Sequence, residues 1–196
     1  MKTIVRGVVF SCLLLFAATG VLSAQGSNAA ISKGTLTLFS LNGFIEALSR
    51  QGIVATFPNG QTLGNDQISF PVDGGFLNLN TAAGEVDSRG SIVFTEGGSS
   101  VSLQRVSIEN TASGAVITAG VLVNGLYFGR QPVFSIVSAQ ASLPFTYGEV
   151  MVANLLFEIN PEFSSEVTDY FQVSPFPTGQ IIGSATVDLF LVPPPR

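Results

Sequence analysis

Apolar and polar residues alternate in short runs along most of this chain. A period of two commits such runs to extended strands, because successive side chains of a strand face opposite sides of the sheet. The pattern is plain at Thr35-Leu36-Thr37-Leu38, Ile68-Ser69-Phe70, Phe76-Leu77-Asn78-Leu79, Ile92-Val93-Phe94, and Val101-Ser102-Leu103 followed by Val106-Ser107-Ile108. In the last pair the phase changes at Gln104-Arg105, as a β-bulge requires. Val116 to Val123 and Leu126 to Phe128 flank Asn124-Gly125, a two-residue hairpin signal. Val133 to Val137 and Val150 to Phe157 complete the set, and the prolines of VPPPR (192–196) end the last strand. Asp73-Gly74-Gly75 reads as a tight turn between strands. The expected fold class is mainly β, an antiparallel sandwich-like domain.

Two stretches depart from this pattern. In NGFIEALSRQG (42–52), Asn42 is an N-cap, Phe44, Ala47 and Leu48 form an apolar stripe, and Gly52 is a stop. In NPEFSSEVTDYF (160–171), Asn160 is the N-cap, Pro161 takes the first helical position, and Phe163, Val167, Tyr170 and Phe171 form the stripe. Each short helix follows a similar strand end, Leu38-Phe39 in one case and Leu156-Phe157 in the other. Each precedes a similar phrase, FPNGQTLG (57–64) and FPTGQIIG (176–183). The recurring order predicts an internal repeat of a strand-helix-turn-strand unit, over about 35–72 and again 153–191. The phrase itself is turn chemistry, with Pro58 and Pro177 presetting φ and Gly60 and Gly179 supplying positive φ.

The first 24 residues carry Lys2 and Arg6, an apolar run from about Val8 to Val21, and the small pair Ser23-Ala24. This predicts a signal peptide, residues 1–24, cleaved before Gln25, and a secreted product at the cell surface, in the periplasm or outside the cell. Residues 25–33 read as a flexible tail and 34–192 as one domain. No second apolar run follows that is long enough to span a membrane after cleavage.

Composition then removes whole classes of chemistry. The chain has no His and no Trp, and its single Cys, Cys12, belongs to the leader. Serine or cysteine catalysis with an imidazole base is therefore closed, as are zinc sites and disulfide staples. The formal net charge of −5 becomes more negative once Lys2 and Arg6 leave, which opposes nucleic-acid binding. Calcium would need converging carboxylates, and neither Asn65-Asp66 nor Asp73 sits in an alternating-acid loop. Glu85 and Asp87 flank Val86, so on a strand both point to one solvated face. The many Phe positions read as core, with an apolar ligand cleft as the sharper alternative.

The succession Ile68-Ser69-Phe70-Pro71, Gly75, Thr81, Gly84, Val86, Gly90-Ser91-Ile92-Val93-Phe94-Thr95, Gly97-Gly98, Val101-Ser102-Leu103 and Val106-Ser107-Ile108 resembles the HtaA-type domain of bacterial surface haem-uptake proteins. The start at Phe44 and the segment from Val152 to Val187 resemble the beginning and end of such domains. The resemblance implies a β-rich exported domain with two short helices. It also implies a haem site with an iron-ligating tyrosine on the first helix and a supporting histidine in a glycine-rich turn. Those positions hold Ala47 and Gly97 here. Phe44 and Tyr170 remain as ligand-contact candidates, with Tyr170 in the core stripe and its hydroxyl at the rim. The expected function is a non-catalytic binding or structural module, with no cofactor and with an extracellular ligand or cell-surface component as partner. A carrier of haem or another apolar ligand in a Phe-lined pocket is one alternative, a carboxylate-dependent hydrolase another.

Overall fold

The computed structural model describes residues 28–40, 44–64, 67–171 and 178–195. The leader, Asn42, Asn65-Asp66 and Phe176-Pro177 lie outside the described residues. In chain order the elements are β1 (Asn28–Ser40), α1 (Phe44–Arg50), β2 (Val54–Thr56), β3 (Gln61–Gly64), β4 (Gln67–Asn78), β5 (Gly84–Ser88), β6 (Ser91–Glu96) and β7 (Ser99–Thr111). They continue with β8 (Gly114–Val123), β9 (Leu126–Gln140), β10 (Gly148–Ile159), α2 (Pro161–Phe171) and β11 (Ile181–Val192).

Every pairing between these named strands is antiparallel. Strands run β7-β5-β4-β1-β11-β10-β9-β8, and β8 pairs back onto β7 from Val101↔Val123 to Thr111↔Gly114. The sheet therefore closes into an eight-stranded barrel, and the sandwich-like arrangement expected from the sequence is corrected to this closed form. Closure removes the free edges that two facing sheets would leave. Beyond the barrel, β6 pairs with the first half of β7 and carries β2, while β3 pairs with the start of β4.

Alternation places one face of each strand inside the barrel. Leu36, Phe70, Leu103, Val106, Val121 and Val133 are fully buried there. The phase change at Gln104-Arg105 is a bulge, with Arg105 at φ 51°, and Asn124-Gly125 turns the β8–β9 hairpin with both residues at positive φ. Two local readings are corrected. Asp73-Gly74-Gly75 is a bulge within β4, not a turn. The register shifts between Val72 and Gly74, and Asp73 accepts a hydrogen bond from Arg89 Nε at 2.9 Å. The lead assigned to a flexible tail is strand from Asn28 onward. Ala29 and Ile31 are buried, a register shift between Ile31 and Lys33 moves the inward phase to Leu36 and Leu38, and Lys33 Nζ lies 5.3 Å from the Phe190 ring centre.

Candidate functional site

Strands reach the end of the barrel at α1 with their aromatic residues. β1 delivers Phe39, β9 Phe134 and β10 Phe157, while β6 brings Phe94 from beside β7. Phe57 arrives from the first repeated phrase and Phe44 from α1. The six rings, together with Leu38, Ile45, Ile68, Ile92 and Ile182, line one open cleft enclosing about 50 Å³. Among the described residues the walls are hydrocarbon and offer neither a charge nor a metal donor.

Local turn chemistry holds this arrangement. The Phe57 carbonyl accepts the Gly60 N–H at 3.0 Å, and Asn59 takes the positive φ (60°) at the third position of the turn. The Ser91 N–H donates to the Pro58 carbonyl at 3.3 Å, which fastens the turn to β6. Gly60 is required for another reason than the one expected. Its φ is ordinary, but an added Cβ would stand 2.7 Å from Phe70 Cε1 and 2.9 Å from Ile68 Cγ2. In the second phrase Gly179 does sit at φ 71°, in open space.

α1 stops as a Schellman motif. The Ile53 N–H bonds to the Leu48 carbonyl, the Gly52 N–H bonds to the Ser49 carbonyl, and Gly52 adopts φ 84°. Leu48 is buried and Phe44 and Ile45 half-buried, but Ala47 is exposed, so it is not part of the inward stripe assigned to it. From Gly52 the chain enters β2, which pairs with β6 and so lies against the strand that ends in the Gly97-Gly98 turn. Both glycines have positive φ, as a two-residue hairpin turn demands. The helix and the glycine turn of the family resemblance thus flank one corner of the molecule. Neither presents a ligating side chain there.

The structure separates the two candidate contact residues. Phe44 lines the cleft. Tyr170 lies on α2, half-buried against the core with its ring edge-on to Phe171 at 5.1 Å, and it is not among the cleft walls. Its hydroxyl, expected at the rim, is buried without a hydrogen-bond partner among the described residues. The sequence reading missed Phe39, Phe57, Phe94, Phe134 and Phe157 as site residues. A signal for three of them was present, since Phe39 and Phe157 close the two matching strand ends and Phe57 opens the repeated phrase.

Acidic side chains gather elsewhere, on the outer wall of the barrel. Glu85 stands directly across from Glu109, and Asp87 across from Ser107, whose hydroxyl donates to Asp87 Oδ1 at 2.7 Å. Thr118 Oγ1 donates to Glu109 Oε1 at 2.8 Å, and Arg130 Nη1 donates to Thr118 Oγ1 at 2.7 Å. Burial, then the Asp87 charge and hydrogen bond and the Glu109 charge, raise the Glu85 pKa, while Arg130 lowers it. Val86 between the two acids is buried, so both carboxylates face outward as the alternation predicted. Among the described residues no group of three or more His, Cys, Asp or Glu is placed to hold a metal ion. No helix among them is long and apolar enough to cross a membrane.

No family model matches the chain, and no curated protein matches its sequence. Solved structures do match it. The C-terminal domain of HtaA from Corynebacterium glutamicum superposes with a TM-score of 0.63 at 15% identity, over 84% of this chain and 99% of that one. The haem-binding protein HtaB from the same organism gives 0.58 at 11% identity, over 84% and 96%. The N-terminal domain of HtaA gives 0.55 at 12% identity, over 83% and 98%. At these identities the likeness is one of backbone architecture, and the chain carries the HtaA-type fold.

Proposed function

We propose that this chain is an exported, non-catalytic binding module that takes an apolar ligand at the phenylalanine-lined cleft beside α1. The observation that carries the reading is the convergence of six Phe rings from β1, α1, the first phrase, β6, β9 and β10 on one open cleft. Phe39, Phe44 and Phe57 are half-buried, with Phe94, Phe134 and Phe157 buried behind them, and the uncovered ring surface gains by meeting an apolar partner. The cleft encloses about 50 Å³, well below the roughly 300–1,000 Å³ of pockets that engulf a ligand, so it receives one edge of its guest. HtaB, which shares the fold, is a haem-binding protein, and this supports an apolar guest here. Iron ligation is left out of the reading because haem iron needs an axial donor. Among the described residues the cleft walls contain no Tyr, His, Cys or Met, and Ala47 and Gly97 stand at the two positions that the resemblance assigns to ligation and its support.

The alternative of a carboxylate-dependent hydrolase has its acids in the wrong place. Glu85, Asp87 and Glu109 occupy the outer wall and bond to Ser107, Thr118 and one another, while the cleft holds none. Export rests on the leader sequence and, for the partner, implies an extracellular molecule or cell-surface component.

The test is a titration of the mature protein with N-phenyl-1-naphthylamine, a neutral probe that fluoresces in apolar surroundings. A saturable one-to-one enhancement is expected. Phe44→Ser and Phe39→Ser should each weaken it roughly tenfold, the equivalent of losing one partly buried ring, while Phe76→Ser, exposed outside the cleft, should leave it unchanged. Absence of saturable binding, or cleft variants that bind like the wild type, would reject the reading.

A further inference from the structure

We propose that the opposite end of the barrel holds a second binding site, for a small uncharged molecule about the size of a benzene ring. The strands that bring Phe39, Ile68 and Phe157 to the α1 end bring other residues to the far end. There a cavity of about 140 Å³ lies between β4, β5, β7, β8, β9, β10 and β11. Its deeper walls are Leu77, Val86, Ile108, Leu155, Val187 and Leu189, all hydrocarbon. The remaining lining is mostly small, with Gly84 and the alanines at 82, 115, 139 and 141.

Three observations make this space a site for a guest. First, it has no use for water. Among the described residues the cavity's one amide side chain, Asn110, donates through Nδ2 to the Ala82 carbonyl at 3.0 Å, and no charged residue lines the space. Aliphatic walls offer water few partners, and an apolar cavity of roughly this size admits benzene or xenon. Second, its smallness of lining is partly built in. Gly84 has φ 148° and an added Cβ would collide with the Phe76 carbonyl. Third, the space communicates with solvent, because Ala139 and Ala141 are exposed at its rim. The connection from β9 to β10 crosses this end, with Phe145 buried and its N–H donating to the Leu79 carbonyl at 2.6 Å. The absence of a charged residue among the described walls favours a neutral molecule held by dispersion and burial.

Methyl-resolved NMR of the mature protein under xenon pressure, followed by titration with benzene, reads the occupied end directly. Saturable shifts are expected at Ile108, Leu155, Val187 and Leu189, with benzene displacing xenon. Ala115→Leu should remove these shifts by filling the cavity. Ala139→Leu, at the exposed rim and so less demanding of the fold, should remove or sharply reduce them as well. The proposal is overturned if no methyl responds, or if both folded variants respond like the wild type. It is equally overturned if only Ile45, Ile68, Ile92 and Ile182 respond, a result that would place apolar guests at the phenylalanine cleft alone and leave the proposed function standing.

Discussion

Two corners of the barrel share a sequence signature and differ in how they are packed. In both, a strand ending in Leu-Phe leads through a short helix to an antiparallel neighbour: β1 to β4 by way of α1, and β10 to β11 by way of α2. The second corner is closed. α2 begins at a cap in which the Asn160 side-chain oxygen accepts the Glu162 and Phe163 N–H groups at 3.0 and 3.3 Å, and it buries Phe163, Ser164, Val167 and Phe171. The first corner is open. α1 spans seven residues, buries Leu48 alone, and is followed by β2 and β3 before the chain reaches β4. A longer amphipathic helix seals its end of the unit. A shorter one leaves Phe39, Phe44 and Phe57 half-buried, and that difference locates the cleft.

The largest expected effect sets the two helices against each other. Phe163→Ala in the sealed corner should lower stability by about 3–5 kcal/mol in urea unfolding, whereas Phe44→Ala, half-buried in the open corner, should cost about 1 kcal/mol. Equal losses would mean that α1 is packed as tightly as α2. Next come the paired glycines. Gly60→Ala, forced against Phe70 and Ile68, should cost about 1–3 kcal/mol, and Gly60→Asn at least as much. Gly179→Ala should cost about 1 kcal/mol through its positive φ, and Gly179→Asn should recover most of that. A matching response at both sites would show that the phrase does the same work twice. Asn160→Ala, which removes the cap of α2, should cost about 1 kcal/mol without changing probe binding at the open corner.

Glu85 on the wall supplies the smallest effect and a control remote from both corners. Its folded pKa is raised, so the folded state holds the proton at pH values where the unfolded state has lost it. At neutral pH the charged carboxylate therefore carries a small penalty. That penalty is lifted as pH falls through the raised folded value toward the ordinary 4.5. Glu85→Gln should raise the melting temperature at neutral pH, the advantage should shrink across that window, and it should vanish below about pH 4. A constant difference between variant and wild type at all pH values would remove the electrostatic cause.

Local signals carried much of this architecture. Asn160 with Pro161 marks the start of α2, Asn124-Gly125 fixes the hairpin, and the phase change at Gln104-Arg105 marks a bulge that is present. Other features depend on contacts distant in sequence. A strand pattern does not say whether the sheet closes, since that rests on the β7–β8 pairing together with the path through β1 and β11. The start of β1 was hidden because its bulge near Ser32 breaks the alternation among small residues. Asp73-Gly74-Gly75 has turn composition, yet pairing of Gly74 and Gly75 with β5, and of Val72 and Phe76 on either side with β1, keeps it within β4. For the site, Phe44 was legible as an inward helix residue. Phe94 and Phe134 were not, because only the barrel brings β6 and β9 to the same end.

Haem titration, followed at the Soret band, tests most directly whether the open corner has kept an apolar cleft without an iron ligand. With mature wild-type protein, and Tyr170→Phe in parallel, no saturable one-to-one Soret shift is expected, because Ala47 offers no donor and the described cleft walls contain none. A saturable one-to-one shift that disappears in Tyr170→Phe would contradict this, and would make the buried Tyr170 hydroxyl of α2 the iron ligand.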